Sequence, residues 1–303
     1  MQGTGNNTVR CIESLSCPSY DPAATTDAVD ISIQLSLDGI SFSVRHTDGS
    51  PLCFKRYAFL YGEAVPEAWS EDRAYMDFLM EACAGVLRDP ALQGACSRAC
   101  LYSDLPLQTL VPDEYFTEKD LGSYLLLEEA SAAWSVFAEP CSRHADYVVF
   151  GIPATVWQLF QQHLTALQAP HHLLARMSEL AAPALPFTTS VYFTSTHVLI
   201  LLQHNERIVQ CNAFRIHEAS DLLYYVVSLI RSAGASPDQT DVCCMSNTAP
   251  LLEETVGYLT HYLPHLQQPR YRFPEDSPFR PADRSPIWIF SAPAFVEWGT
   301  IWR

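Results

Sequence analysis

The sequence predicts a mixed α/β protein made of two halves of similar design. Three observations lead there. The order strand, strand, strand, helix, strand, helix occurs once from about residue 31 and again from about residue 188. Each half opens with strands joined by turns too short for a parallel crossover, so those strands are antiparallel. Of 303 residues, 48% are hydrophobic and 17% charged, a composition able to bury a substantial core.

Residues 1–26, MQGTGNNTVRCIESLSCPSYDPAATT, read as a frayed polar tail. They contain no apolar run of signal-peptide length, and the segments before Cys11 and Cys17 are too polar for a lipoprotein signal.

The first half is expected over residues 27–170. ISIQLSL and ISFSVRH are strands, DGS at 48–50 is an Asp-Gly hairpin turn, and LCFKRYAFL is the third strand. EDRAYMDFLMEACAGVL places Tyr75, Phe78, Leu79 and Ala82 at helical spacing, with Gly85 near the end. ACLYSD is a fourth strand, and PDEYFTEKDLGSYLLLEEA covers a short helix or two. DYVVFGIPATVWQLFQQHL is a strand and a helix broken at Pro153, with Val156, Leu159 and Phe160 on one side.

The second half is expected over residues 171–303. It runs through TTSVYF, HVLILLQ, the turn HNE and RIVQCNAFRI to the helix DLLYYVVSLIRSAG, which Gly234 closes. DVCCMSN and LLEETVGYLTHYL complete the repeat, and YAF at 57–59 finds NAF at 212–214.

Three antiparallel strands, a helix, a strand and a helix make half of a ribonuclease-H-like fold. Two in tandem make the actin-like architecture. An ordinary doubly wound sheet is the plainer alternative, but it explains the opening hairpins less well. The stretches LSLDGISFSV, LQTLVPDEYF, DYVVFGIP and NAFRIHEASDLLYYVVSLI, spread from about residue 30 to 260, carry a resemblance. The chain resembles uncharacterised proteins of Bacteroidetes bacteria with an actin-like ATPase fold and no assigned function. More distantly, its plan is similar to actin-like proteins of pilus assembly. The resemblance implies a fold and little about activity.

An actin-like ATPase needs phosphate-binding turns from both halves, where glycines let the backbone approach the phosphates. In the first half Asp38 and Gly39 fit the start of such a turn, with Ser41 and Ser43 as possible phosphate donors. The next glycine expected is Ile40, which is β-branched and crowds a tight turn. In the second half Thr194, Ser195 and Thr196 stand where acid and glycine are needed, and no glycine occurs between Gly151 and Gly234. The adenosine-holding segment reads CCMSNTAP, again without glycine. A nuclease reading requires carboxylates converging on divalent metal. Asp38 is a plausible first ligand and Glu128, Glu129 and Asp146 are further acids, but strand two offers only His46 and Asp48 near its turn.

The charge is −16, from 34 acidic and 18 basic residues, and Lys55 and Lys119 are the two lysines. That balance repels nucleic-acid backbones over most of the surface. No stretch approaches the ~18–20 apolar residues of a membrane span. The ten cysteines contain no C-x-x-C pair, and Cys96 and Cys100 are spaced C-x-x-x-C without a following His-x-x-x-His, so buried reduced thiols are expected and no metal. The pair His171 and His172 begins a helix; with His163 the histidines show no ligand spacing, and a polar linker between the halves is expected around them. The C-terminal stretch interleaves arginine with aromatics. Arg270, Tyr271, Arg272, Phe273, Arg280, Trp298 and Trp302 are candidate partner contacts, while Glu275, Asp276 and Asp283 dilute the charge that single-stranded nucleic acid would require.

Three functional readings follow. The first is a cytoplasmic, non-catalytic actin-like protein with a degraded nucleotide site and no cofactor, acting as a protein-interaction or scaffold module, monomeric or homodimeric. The second is a divergent switch or ATPase that uses ATP and Mg²⁺ through Asp38. The third, nucleic-acid binding through the C-terminal arginines, fits the charge least well.

Overall fold

Alternating apolar residues set the strands, and the computed structural model describes residues 8–24, 28–60, 73–125, 133–141, 146–180, 185–194, 197–247, 249–273, 275–280 and 296–300. In chain order the first elements are β1 (Val9–Ser16), β2 (Val29–Ser36), β3 (Gly39–His46), β4 (Pro51–Phe59), α1 (Arg73–Leu87) and β5 (Cys96–Ser103). β6 (Gln108–Val111), α2 (Leu121–Tyr124), β7 (Trp134–Cys141), β8 (Asp146–Pro153), α3 (Ala154–His163), β9 (His171–His172) and α4 (Leu173–Leu180) follow. The remainder are β10 (Phe187–Phe193), β11 (His197–His204), β12 (Arg207–Arg215), α5 (Ala219–Ser232), β13 (Thr240–Ser246), α6 (Ala249–Leu259), β14 (Leu266–Tyr271) and β15 (Val296–Thr300).

The first sheet has the order β1-β4-β3-β2-β5-β9, and the second β12-β11-β10-β13-β14-β15. In both, an antiparallel meander is continued by a parallel strand, β5 beside β2 and β13 beside β10. This is the duplicated ribonuclease-H-like order that the sequence predicts. A third sheet has the order β6-β8-β7.

The chain divides into two compact units. Described residues up to 109, within 119–137 and within 149–171 belong to the first; those within 110–118, 138–148 and from 172 onward belong to the second.

In the first unit, register places Ile31, Ile33 and Leu35 opposite Val44, Phe42 and Ile40, so one face of the hairpin is apolar over these three pairs. Tyr75, Leu79, Ala82, Cys83 and Val86 recur along one side of α1 and are buried. The opposite face of the same hairpin carries Ser32, Gln34, Ser41, Ser43 and Arg45, which are also buried. In the second unit, Leu222, Val226, Leu229 and Ile230 of α5 pack with Val191, Phe193, Val198 and Ile200 in one core. The start of α5 is capped by the Asp221 carboxylate, which accepts from the backbone N–H groups of His217 (2.8 Å) and Glu218 (3.3 Å). Gly234, at φ +78°, ends it, and the Ala235 N–H donates to the Ile230 carbonyl at 3.1 Å.

Two expectations are corrected. Residues 9–16, read as part of a frayed tail, form β1, which pairs antiparallel with β4 from Val9↔Phe59 to Ser16↔Cys53. The segment around His171 and His172, read as a linker, is a short strand, and the helix expected to begin there follows directly as α4. Both elements are fixed by contacts distant in sequence, which local polarity does not report. β6 and β7 were likewise not anticipated.

Candidate functional site

The first turn is built by register. Ser36 pairs with Gly39, so Leu37 and Asp38 are its two turn residues. The Tyr75 hydroxyl donates to the Leu37 carbonyl at 3.4 Å, and the Asp38 carbonyl accepts from the Phe59 N–H at 2.9 Å. Asp38 is partly exposed. Gly39 passes directly beside β4, where a Cβ would lie 2.2 Å from the Tyr57 carbonyl oxygen. No side chain fits at that distance, so β4 alone accounts for the glycine.

Ser41 and Ser43 do not cluster at the turn. They run down β3, three and five residues beyond Asp38, which at strand rise is about 10 and about 16 Å along the chain. Ser41 lies opposite Gln34 and Arg56, Ser43 opposite Ser32 and Phe54, and both serines are buried. Among the described residues the Ser43 hydroxyl has no hydrogen-bond partner.

A carboxylate that sequence reasoning passed over lies closer. Asp104, just past β5, accepts from the Ser36 hydroxyl at 2.6 Å and from the Gln34 amide at 3.4 Å. It is buried. Its only signal in the sequence was its place at the end of ACLYSD, one acid after a strand.

In the second unit, the corresponding turn closes on itself. The Thr194 N–H donates to the His197 carbonyl at 2.8 Å, and its hydroxyl accepts from the His197 N–H at 3.1 Å. Ser195 and Thr196 lie outside the described residues. Burial, reinforced by the Arg215 charge, pushes the His197 imidazole down to about 4. Ser246, the last residue of β13, and Asn247 just after it are buried, and Thr248 is outside the described residues.

Of the nuclease candidates, Asp146 begins β8, while Glu128 and Glu129 lie outside the described residues. Among the described residues no three His, Cys, Asp or Glu side chains converge to hold a metal ion.

The C-terminal candidates divide. Tyr271 and Phe273 have ring centroids 4.5 Å apart, and Phe273 and Phe279 6.0 Å. Tyr271 and Phe279 are buried, whereas Arg272 and Arg280 are exposed. Arg270 is paired in register with Glu297, and Trp298 sits on β15 opposite Pro269. Trp302 lies outside the described residues.

Two ionic clusters were not anticipated. Asp89 follows α1, accepts from Lys55 at 2.8 and 3.0 Å, from the Tyr57 hydroxyl and from the Ala91 N–H at 2.9 Å. Burial, and then the hydrogen bond to Asp89, holds the Tyr57 phenol far above its usual range. Glu139 of β7 accepts from the His172 N–H at 2.8 Å and pairs with Arg176 of α4. Both clusters tie one element to another.

No curated protein matches the chain in sequence. A structure from Bacteroides thetaiotaomicron VPI-5482, described as a protein with actin-like ATPase fold and unknown function, superposes with a TM-score of 0.61 at 14% identity, covering 80% of this chain and 90% of that one. The ethanolamine utilization protein EutJ from Carboxydothermus hydrogenoformans gives a TM-score of 0.48 at 8% identity, over 93% and 92% of the two chains. At such identities the likeness shows the fold alone, and the fold is actin-like. Residues 21–266 match the family described as "Protein of unknown function (DUF3822)", and over that span the chain belongs to it.

Proposed function

We propose that the chain is a cytoplasmic, non-catalytic member of the actin-like fold that works as a protein-interaction module, its nucleotide site degraded. The observation that carries this reading is Gly39. A Cβ there would lie 2.2 Å from the Tyr57 carbonyl oxygen, so the residue that makes the turn resemble a phosphate loop has a reason in strand packing. Ile40 follows it into the core at 2% exposure, and the Thr194 hydroxyl of the second turn is turned back on its own backbone. A net charge of −16 adds long-range repulsion against nucleotide and nucleic acid alike. No helix among the described residues is long and apolar enough to cross a membrane. The exposed Arg272 and Arg280 are proposed contacts for a protein partner.

The test is calorimetric titration with ATP and Mg²⁺, with Asp38→Ala as control. No saturable heat is expected from either protein. The alternative is a Mg-ATP switch, and the partly exposed Asp38, two residues from the Ser36–Asp104 hydrogen bond, is the observation in its favour. Saturable binding that Asp38→Ala abolishes overturns the first reading in favour of this one.

A further inference from the structure

The duplication leaves the two meanders differently finished. In the first sheet the outer edge of β4 is covered by β1, an antiparallel strand contributed by the N-terminal segment. Glu13 of that strand stands opposite Arg56 of β4, and their charged groups approach to 3.4 Å. In the second sheet β12 holds the equivalent position, third strand of the meander, and is itself the outermost strand. Among the described residues, no strand pairs with its outer edge.

β12 is suited to receive one. It is nine residues long, and its register breaks only near the start, where Val209 is passed over between Ile208 and Gln210. Gln210–Arg215 then pairs regularly with β11. By contrast β1, the outer strand of the first sheet, is interrupted in mid-strand between Cys11 and Glu13, a device that discourages further pairing. Beside β12 lies an aromatic ledge: Phe214 stacks on Tyr225 of α5 at 4.1 Å, and Tyr225 meets Tyr224 at 5.4 Å. Tyr224 is 67% exposed and Val209 46%.

The charge of the edge selects the occupant. RIVQCNAFR carries Arg207 and Arg215, both exposed, and no acid, within a chain whose net charge is −16. Arg231, in the last turn of α5, is next to Ser232, whose hydroxyl donates to Gln210 of β12 at 2.9 Å. Of the acids flanking the strand, Glu206 sits in the turn before Arg207, and Glu218 and Asp221 are engaged at the start of α5, so the strand itself keeps its positive sign. Antiparallel self-pairing of two copies over the full strand, centred on Cys211, sets Arg207 against Arg215, and like charges directly opposite destabilise a pair.

We infer that the outer edge of β12 binds an extended, acidic segment of a partner protein by strand addition. The backbone supplies the ladder, the arginines meet carboxylates as Arg56 meets Glu13, and alternate apolar side chains rest on the ledge. The inference rests on the interaction-module reading and names the kind of partner it requires.

The probe is a fluorescein-labelled peptide of nine alternating glutamate and valine residues, read by anisotropy, with a lysine–valine peptide as the charge control. Binding of the glutamate peptide alone is expected. It should weaken about tenfold or more in the Arg207→Glu/Arg215→Glu protein, whose fold is checked by circular dichroism. Hydrogen exchange should slow at residues 210–215 when peptide is present. Equal binding of both peptides, no binding at millimolar concentration, protection elsewhere, or unchanged binding by the double variant overturns the inference. So does self-association that protects the same strand. Failure here with no ATP heat leaves the module reading standing, whereas saturable ATP binding removes that reading whatever the peptide does.

Discussion

Gly39 and Glu206 show what single backbone positions ask of a side chain. At Gly39 a Cβ would press on backbone of β4 rather than on a movable side chain. Gly39→Ala should therefore cost about 3 kcal/mol or more, visible as a lower urea midpoint. Glu206 is the opposite case. With Asn205 it forms the two-residue turn between β11 and β12, and both have positive φ, 50° and 66°. That is the turn type for which Asn-Gly is preferred, so Glu206→Gly should stabilise by about 1 kcal/mol and raise the Tm. His197 supplies a pH dependence. Its folded value of about 4 lies below the ordinary 6.5, so the unfolded chain binds the proton first. The contribution is complete above pH 6.5 and lost as pH falls towards 4, about 1–2 kcal/mol after solvent screening. Urea titrations across that window should show the slope, and His197→Gln should flatten it. At this scale the sequence points to Asp38 and Gly39 but not to Asp104 or Asp89. A lone acid at a strand or helix end looks the same whether it meets water or, as Asp89 does, a lysine 34 residues away.

Elements were legible where a period repeats. The two meanders, α1, α3, α5 and β13 all follow from alternation or helical spacing closed by turn residues, since each buries a continuous face. β1 was not legible because an edge strand half in water, VRCIESLS, has no clean alternation, and only its register with β4 defines it. The helix that the histidine pair was expected to begin is α4, but the short strand those histidines form was not legible, and the Glu139 carboxylate that holds the His172 N–H comes from a distant strand. Ties of this kind carry their own prediction. Asp89 is 6% exposed and joins β4 to the end of α1 through Lys55. Asp89→Ala leaves the ammonium without its partner and should destabilise by roughly 3 kcal/mol. Asp89→Asn, which keeps an acceptor for Tyr57 and Ala91, should lose less in the same denaturation experiment.

For the molecule as a whole, cysteine burial gives a readout of global opening. Cys53, Cys83, Cys141, Cys243 and Cys244 are buried, and burial pushes Cys53 up to about 11 and Cys244 to about 12. Cys17 moves the other way, lowered by hydrogen bonds from Ser19. With a chromogenic disulfide at neutral pH, Cys17 should react first. The five buried thiols should wait for unfolding, so their rate reports global stability. Five fast thiols beyond Cys11, Cys17, Cys96, Cys100 and Cys211 would contradict the packing. The duplicated plan and the charge were visible in the sequence at this scale. The threading of the chain was not, because segments 110–118 and 138–148 belong to a unit whose remaining residues begin at 172. During synthesis that threading imposes an order. The first unit is complete once residue 171 has emerged, while the two early segments of the second must await residues not yet translated. At ordinary elongation rates the interval is on the order of ten seconds. Throughout it a nascent chain holds those two segments without the residues that complete their unit, which makes the ribosome-bound intermediate, more than the finished protein, the natural client of a chaperone.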